Sequence, residues 1–271
     1  MKTPPKEFPK HTEQAVDKIA EGYDEWNNQN EILNWMRGIV HKIYLQNFKS
    51  GDNLLELNCG TGEDAIFLTQ KGIKVYATDI SGKMIELLNA KCRKQKVEGS
   101  IISKVASFDT LNTIEQNNFD GAISNFGGLN CINDFEKLSK DLSAKLKPDG
   151  KFIAAVMNTV CPWEIFYYLL KLDFKNAFRR FNREGIQADF NGEKVLTFYF
   201  TPRVFAKQFS SKFSVEKLYS LGYHTPSPFM IGLYRRFKPI IKLFMKLDEV
   251  LMRYFPFNRF GDHFIIVMKK R

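Results

Sequence analysis

Two short clusters of residues, separated by one helix-like stretch, have the types and spacing needed to hold a nucleoside. The first, Asn58-Cys59-Gly60-Thr61-Gly62, follows a short apolar run at Leu54–Leu57. The second is Asp79, which ends the next apolar run, Val75–Thr78. Glycines at a strand-to-helix turn let a ligand approach the backbone, and an acid at the tip of the following strand can accept from two ribose hydroxyls. The pattern therefore predicts a site for a nucleoside-bearing cofactor.

The charges around the turn separate two classes of cofactor. The spacing of the two glycines and Asp79 also satisfies the dinucleotide fingerprint, so a nicotinamide cofactor stays open. A pyrophosphate, however, needs the uncovered positive end of a helix. Glu63 and Asp64 occupy that end and would repel phosphate. S-adenosylmethionine has no phosphate, and Glu56, just before the turn, fits a carboxylate that faces its ammonium group or orients the loop.

Three motifs in this order resemble those of the class I S-adenosylmethionine-dependent methyltransferases that act on small molecules. They are Glu56–Gly62, Asp79–Met84 and Leu146–Lys151, and the resemblance covers roughly residues 15–156. It implies an α/β Rossmann-like fold, with a seven-stranded, mostly parallel sheet that ends in an antiparallel hairpin and has helices on both faces. It also implies S-adenosyl-L-methionine as the cofactor, S-adenosyl-L-homocysteine as the product, and an enzyme that transfers a methyl group by in-line displacement.

The resemblance further implies which residues contact the cofactor. Tyr23 matches a tyrosine in an N-terminal lid, and Met84 matches the residue that packs on the adenine. Ser107 and Phe108 follow the third strand, where related enzymes hold the adenine edge, while Asn125 follows the fourth strand and could touch the methionine part. The full predicted set is Tyr23, Glu56, Asn58, Cys59, Gly60, Thr61, Gly62, Asp79, Ile80, Met84, Ser107, Phe108 and Asn125.

The chain departs from the family pattern at one position of the turn. Asn58 stands where the family usually has the first of three glycines. Asparagine is the non-glycine residue that best tolerates positive φ, so we expect the turn to survive. The alternative is a weakened or lost cofactor site.

The remaining segments indicate one domain with two insertions. Residues 1–12 are rich in proline and lysine and are predicted to be a loose tail. Amphipathic patterns predict lid helices over 13–48, and strand–helix alternation predicts a parallel sheet in the core 51–158. Aromatic and basic stretches at about 159–193 and 225–261 interrupt the rest, and the family places acceptor-binding structure at the first of these. Cys161–Phe181 is predicted to be helical and Lys194–Phe200 to be a strand.

Composition restricts the possible partners. The 271 residues are 44% hydrophobic and carry a formal net charge of +10, which permits nucleic acid or an anionic membrane as partner. The four cysteines have no metal-site spacing and are predicted to be reduced thiols of a cytoplasmic protein. The sequence shows no metal constellation, secretory signal or membrane-spanning stretch.

The second insertion combines apolar and basic residues at helical spacing. Apolar residues recur at three- and four-residue steps from Met230 to Leu251, and Pro239 divides the pattern into a shorter and a longer helix. From Thr225 to Arg271 there are ten Lys and Arg against three Asp and Glu. Such a segment can pack on its own domain, cap an apolar substrate cavity, or lie on an anionic membrane, which would make the protein membrane-peripheral.

Three functions remain open at this point. The first is a methyltransferase for a small, hydrophobic or amphiphilic acceptor, which the phenylalanine-rich insertions favour. The second is an RNA or protein methyltransferase, favoured only by the net charge, so nucleic acid is the less expected partner. The third is a non-catalytic module of the same fold, suggested by Asn58. The sequence identifies no catalytic residue, although any of the four histidines is a candidate base: His11, His41, His224 and His263.

Overall fold

The computed structural model describes residues 8–190 and 192–271. Within the predicted tail, residues 1–7 lie outside the described part, while the first helix already begins at Phe8. Gly22 has a left-handed φ of 82° and separates this helix from a second one that begins at Tyr23. Three helices thus occupy the region in which lid helices were predicted over 13–48, and the first of them includes the last five residues of the predicted tail.

The strands form one large sheet and one small hairpin. The large sheet has the order β3-β2-β1-β4-β5-β9-β8. Its first five strands are parallel, and β9 runs antiparallel to both β5 and β8. This confirms the predicted seven-stranded, mostly parallel sheet with a final antiparallel hairpin. The strands are β1 (Asn53–Leu57), β2 (Lys74–Asp79), β3 (Ile101–Val105), β4 (Phe119–Ser124), β5 (Leu146–Met157), β6 (Ile186–Phe190), β7 (Glu193–Thr197), β8 (Phe213–Leu221) and β9 (His263–Lys270).

Helices cover both faces of the large sheet. One face packs a core that includes Ile32, Met36 and Leu88, and the other packs a cluster of phenylalanines that includes Phe135, Phe205 and Phe209. The helices are α1 (Phe8–Ile19), α2 (Tyr23–Asn28), α3 (Glu31–Asn47), α4 (Glu63–Thr69), α5 (Gly82–Gln95), α6 (Glu136–Lys145), α7 (Pro162–Leu170), α8 (Phe174–Ala177), α9 (Pro202–Phe209), α10 (Ile231–Arg236) and α11 (Lys238–Leu251).

Both insertions leave the sheet at the same edge. β8 runs antiparallel to β9 and so runs parallel to β5, which puts the ends of β5 and β8 at one edge. Residues 158–200 follow β5 and residues 222–262 follow β8, so both project from the carboxyl edge of the parallel strands. Ligands of open α/β sheets bind at this edge.

Two predicted elements of the first insertion differ from the structure. The helix predicted over Cys161–Phe181 is divided into α7 and α8, because Leu172 between them has a left-handed φ of 57°. The strand predicted over Lys194–Phe200 ends at Thr197 and pairs with β6 in a separate hairpin, which the sequence did not indicate. The third strand ends at Val105, so Ser107 and Phe108 lie just beyond its tip.

No helix in the described part of the chain combines the length and the apolar character that crossing a bilayer requires.

Candidate functional site

A cavity opens at the carboxyl ends of β1, β2, β3 and β4. One end of it follows the glycine turn and the tip of β2, and the other end reaches the loop after β4 and the strand β7. Helix α1 and the start of α2 cover it. The lining residues are Thr12, Val16, Ile19, Tyr23, Asn58, Gly60, Thr78, Asp79, Ile80, Met84, Ala106, Ser107, Phe108, Asp109, Leu111, Phe126, Gly127, Gly128, Cys131, Ile132, Val195 and Thr197.

Asp79 is fixed at the cavity wall by backbone donors. One carboxylate oxygen accepts from the amide of Gly60 at 2.8 Å, and the other accepts from the amide of Ser81 at 2.9 Å. Burial raises the pKa of Asp79, and these backbone hydrogen bonds oppose the rise. A carboxylate oxygen can accept more than one hydrogen bond. Asp79 can therefore hold the turn and still bind a pair of hydroxyl groups.

The two glycines of the turn serve different purposes. Gly60 has a φ of 54°, and a Cβ there would lie 3.7 Å from the ring of Tyr23, in the space between the turn and the lid. Gly62 has a φ of 82°, and a Cβ there would come within 2.0 Å of the Leu88 side chain on α5. Gly60 thus keeps the cavity open beside the backbone, whereas Gly62 lets α4 approach α5.

Asn58 adopts the left-handed conformation that the missing glycine would have adopted. Its φ is 49°, which confirms that the turn survives the substitution. The side chain donates from Nδ2 to the carbonyl of Asn125 at 2.7 Å and accepts from the Ser124 hydroxyl at 2.5 Å. A Cβ added to Gly128 would lie 2.3 Å from Asn58 Cγ. The Asn58 side chain therefore fills the space that a side chain at position 128 would need. Asn58 therefore ties the turn to the end of β4.

Two buried carboxyl groups near the turn have opposite electrostatic environments. Burial and the neighbouring Asp64 raise the pKa of Glu56 well above its usual value, and its Oε2 has no hydrogen-bond partner among the described residues. Burial also disfavours the charge on Asp64, but Arg37, His41 and Asn125 together hold its pKa well below the usual range. Glu56 thus has an unpartnered oxygen next to the turn. A cation or a hydrogen-bond donor could bind there.

Ion pairs and hydrogen bonds close the lid over the cavity. Asp17 on α1 accepts from the Ser81 hydroxyl at 2.5 Å, where α5 begins. Asp24 on α2 accepts from the Thr61 hydroxyl at 2.5 Å and pairs with Lys91 at 2.8 Å. Tyr23 lies between these two anchors and lines the cavity. The lid position predicted for Tyr23 is therefore the position that the structure gives it.

The end of the cavity beyond β4 is apolar and offers no ready nucleophile. Phe126, Ile132 and Val195 line it, and Phe126 has a left-handed φ of 37° that is unusual for a bulky residue. Burial raises the pKa of the Cys131 thiol to about 12, so it stays protonated at neutral pH. Asn130 is fully buried, and its side chain bonds backbone groups of Met157 and Phe198.

The histidines are bound to aspartates rather than exposed to this cavity. His41 bonds Asp64 at 2.7 Å, and His224 bonds Asp248 at 2.7 Å. His263 bonds its neighbour Asp262 at 2.8 Å. None of these three lines the described cavity wall, and the side chain of His11 lies outside the described residues. None of the three described histidines therefore lines the cavity itself, although His263 packs against the lining residue Phe126, with ring centroids 5.4 Å apart.

One cluster in the insertions has the residue types of a metal site but is occupied by an arginine. Ligand atoms of Cys161, Glu164 and Asp262 lie within 4.8 Å of one another. Arg180 bonds the carboxylates of Glu164 at 2.6 Å and Asp262 at 2.7 Å. Burial raises the pKa of Cys161 to about 12. A cationic guanidinium between the two carboxylates makes this a buried ion-pair cluster.

The predicted cofactor residues divide into two groups. Eight of them line the cavity: Tyr23, Asn58, Gly60, Asp79, Ile80, Met84, Ser107 and Phe108. Five lie behind the wall, where they shape the turn or bond to other protein groups: Glu56, Cys59, Thr61, Gly62 and Asn125. Their individual roles toward a ligand remain predictions.

The sequence predicted lid helices over 13–48, but it did not indicate that particular residues of α1 and β7 line the cavity. Val16 and Ile19 from α1 and Val195 and Thr197 from β7 face the same cavity. The amphipathic pattern of α1 was a signal that one helix face is covered, but it could not identify what covers it. The wall combines an anchored carboxylate, open space beside the backbone of Gly60 and apolar surroundings, so it fits an adenosine-like group attached to a flexible polar tail.

Comparison with known proteins supports this assignment. The profile of a methyltransferase domain family matches residues 54–150. An uncharacterized protein of Methanocaldococcus jannaschii is 33% identical over 184 residues, which cover 66% of this chain and 65% of that protein. A demethylmenaquinone methyltransferase of Leptospira interrogans is 27% identical over 165 residues, which cover 58% of this chain and 66% of that protein. The match thus spans slightly under two thirds of the length of these relatives.

A solved structure shows the same fold. The S-adenosylmethionine-dependent methyltransferase from Methanosarcina mazei aligns with 84% of this chain and 96% of its own, with a TM-score of 0.58 at 18% identity. The sheet order, the ordered motifs and the matched domain agree with one another. Residues 54–150 thus match a methyltransferase domain, and the chain has the fold of the class I S-adenosylmethionine-dependent methyltransferases.

Proposed function

We propose that this chain binds S-adenosylmethionine in the cavity and methylates a small, apolar or amphiphilic acceptor. The observation that carries the proposal is the continuity of the cavity from Asp79 and Gly60 at one end to Phe126, Ile132 and Val195 at the other. One space thus offers a nucleoside end and an apolar end. When bound, S-adenosylmethionine supplies a methyl group that its sulfonium already activates.

The residues at the first end have roles that follow from their contacts. Asp79 would accept from the ribose hydroxyls, because the backbone bonds that it receives fix its two oxygens. Met84, Phe108 and Ala106 would provide the apolar surroundings of the adenine. Glu56 would receive a cationic partner at its unpartnered oxygen, which would lower its raised pKa.

At the second end the protein would act by placing the acceptor rather than by activating it. Holding two reacting groups in line contributes several kcal/mol to lowering a barrier, on the order of 7 kcal/mol in well-aligned cases. No histidine lines the described cavity wall, and Cys131 is protonated at neutral pH. This favours an acceptor that needs no histidine or cysteine as its base, such as a hydroquinone whose phenolic proton passes to water.

The relatives support an acceptor of this class. The Leptospira relative is a demethylmenaquinone methyltransferase, which is one reason to propose a quinone-like ring with an apolar chain. The wall around Phe126 and Val195 would accommodate such a ring. An amphiphilic acceptor would also explain why exposed apolar side chains surround this edge of the protein.

The first experiment measures thermal unfolding without ligand, with S-adenosylhomocysteine and with NADH. A ligand present at a hundred times its Kd stabilises the folded state by about 2.7 kcal/mol, which corresponds to a rise of roughly 5–10 °C in Tm. We expect this rise with S-adenosylhomocysteine only. It should be lost in Asp79→Ala and reduced in Asp79→Asn, which keeps one acceptor oxygen.

The second experiment tests transfer itself. The protein is incubated with S-adenosylmethionine and a reduced naphthoquinone carrying an isoprenoid chain, and methylated product is detected by mass spectrometry. A phenolic ring without a chain and a bulk RNA preparation are the comparison acceptors. A Tm rise with S-adenosylhomocysteine combined with methylation of RNA alone would retain the cofactor assignment and overturn the acceptor assignment. The absence of any Tm rise would overturn both.

A further inference from the structure

The longer helix of the second insertion, α11, has two apolar faces, and only one of them is buried. Ile241 and Met245 pack into the protein core. Ile240, Leu243, Leu247 and Val250 lie on another side of the helix, at steps of three and four residues, and are 53%, 64%, 39% and 59% exposed. Steps of three and four residues place side chains in one stripe along a helix. We call this stripe the exposed ridge of α11.

A second group of exposed apolar side chains lies on the first insertion. Phe166 and Leu170 on α7, Leu172 after it, and Phe174 and Phe178 around α8 are all exposed. Contiguous apolar surface of this kind is uncommon on a protein that has no partner for it. We call these five residues the α7–α8 patch.

The two insertions are joined, so the ridge and the patch belong to one side of the molecule. Trp163 on α7 contacts Phe244 on α11, with ring centroids 6.4 Å apart, and Trp163 also contacts Phe166. Both insertions leave the carboxyl edge of the sheet, where the cavity opens, and β7 of the first insertion lines that cavity. The exposed apolar surface therefore borders the entrance side of the candidate site.

Basic side chains flank this surface. Lys242 and Lys246 are exposed and lie next to the ridge around α11. Lys171 and Lys175 are exposed beside the α7–α8 patch. Exposed apolar side chains bordered by lysines are the features of a helix that lies in the interface of an anionic bilayer, with its apolar face among the acyl chains and its lysines at the headgroups.

We propose that the exposed ridge of α11 and the α7–α8 patch form a docking surface for an anionic phospholipid bilayer. The positive charge of the chain favours a bilayer over a second copy of the chain as the occupant of this surface. The chain carries a net charge of +10, and both parts of the surface are flanked by lysines. Two copies would bring like charges together, whereas an anionic bilayer complements them. The proposal concerns the surface alone and stands whichever acceptor the cavity takes.

Vesicle flotation with the full chain tests the proposal. The vesicles are phosphatidylcholine alone or an equal mixture of phosphatidylcholine and phosphatidylglycerol. We expect roughly tenfold or greater preference for the anionic vesicles at low salt, and a weaker preference at about 0.5 M salt, where charge interactions are screened within a few Å.

Matched variants separate the ridge from the overall charge. Leu243→Glu/Val250→Glu changes two ridge residues that are 64% and 59% exposed, and Ile102→Glu/Val105→Glu changes two residues on the edge strand β3 that are 57% and 51% exposed. Both variants lower the net charge equally, and both should unfold within about 2 °C of the wild type. We expect the ridge variant to lose roughly tenfold or more of its vesicle binding and the β3 variant to stay within about twofold.

Three outcomes overturn the proposal. Wild-type protein that does not float with anionic vesicles has no such surface. Equal loss in the two variants shows that net charge alone drives binding. A concentration-dependent dimer, measured by light scattering and abolished only in the ridge variant, assigns the surface to a second copy of the chain.

Discussion

The two ends of the cavity are built in different ways. The turn end comes from short segments, each at the tip of a strand, and the contacts of Asp79 involve residues 60 and 81, close to it in sequence or on the adjacent strand. The insertions, one of which supplies β7 to the other end, are held by pairs that are distant in the chain, such as Arg180 with Asp262. The first kind of construction depends on local backbone conformation, whereas the second depends on buried charge pairs. Substitutions should therefore affect binding at the first end and stability at the second.

The largest effect is expected for Arg180→Leu. Arg180 is buried, and its loss leaves the carboxylates of Glu164 and Asp262 buried without their cation. Removing one partner of a buried ion pair lowers the free energy of unfolding by about 3–5 kcal/mol. We expect that decrease in the free energy of unfolding in urea, with the affinity of the folded protein for S-adenosylhomocysteine unchanged.

Arg179→Leu is the matched control for this substitution. Arg179 bonds the same Glu164 at 2.5 Å, but its side chain is 32% exposed. Loss of a partly solvated pair costs about 1 kcal/mol or less. Equal destabilisation by the two variants would contradict a role for Arg180 as the central cation of the cluster.

The second largest effect is expected for Gly128→Ala, because Gly128 packs against Asn58. A Cβ on Gly128 would lie 2.3 Å from Asn58 Cγ, so Gly128→Ala should destabilise the wild type by about 1–3 kcal/mol through overpacking. In an Asn58→Gly background the space is open, and the same change should cost much less. A double-mutant cycle by urea unfolding should give a coupling of at least about 1 kcal/mol. Additive effects would show that the two residues do not share this space.

These contacts also show how far the sequence could lead. The turn and Asp79 follow from local patterns, whereas the seven-stranded sheet with its final antiparallel hairpin was implied by the family resemblance, and the structure confirms this fold. Asn58 was correctly expected to take a positive φ, because that preference belongs to the residue itself. Its fit against Gly128 could not be predicted, because the two residues meet only after β1 and β4 pair.

The insertions were harder to predict for a related reason. Helical periodicity in α11 indicated one apolar stripe, but a pattern of spacing does not tell which apolar residues the fold covers. Ile241 is buried and Leu243 is exposed, although both fit a three- and four-residue pattern. The break at Leu172 could not be predicted for a different reason, because leucine rarely takes the left-handed φ that it has here.

The third largest effect is a pH-dependent change in stability, which is expected when the buried Glu56 is replaced by glutamine. Burial and the neighbouring Asp64 raise its pKa above the unfolded value of 4.5, so the folded state favours the protonated form. The stabilisation from that form is complete below pH 4.5 and is lost as the pH rises toward the folded pKa. Glu56→Gln removes the cost of ionisation, so we expect the variant to be more stable than wild type by at least about 1 kcal/mol at pH 8 and similar to it near pH 4.

The same variant should bind the cofactor less well. A neutral amide cannot pair with an ammonium group, so we expect the Kd for S-adenosylhomocysteine to rise roughly tenfold at pH 8. Thermal unfolding at a series of pH values and calorimetric titration provide the two measurements. Unfolding curves for wild type and Glu56→Gln that differ by the same amount at every pH would contradict the raised pKa.

The smallest effect is expected for Asp24→Asn in the lid. Asp24 joins α2 to Thr61 and Lys91, but its side chain is 33% exposed, so the change in unfolding free energy should stay below about 1 kcal/mol. Contacts of this kind hold α2 against the turn, and weakening one of them should let the ligand leave sooner. We expect the dissociation rate of S-adenosylhomocysteine to rise about threefold to tenfold, measured by stopped-flow displacement.

Glu21→Gln provides the control, because Glu21 also anchors the lid side but pairs with Lys83 at an exposed position. That pair should contribute almost nothing, so the dissociation rate should match the wild type. If the two variants release the ligand equally fast, the contact between Asp24 and the turn does not hold the lid. If only Asp24→Asn does so, the lid is coupled to the cofactor through the same residues that form the glycine turn.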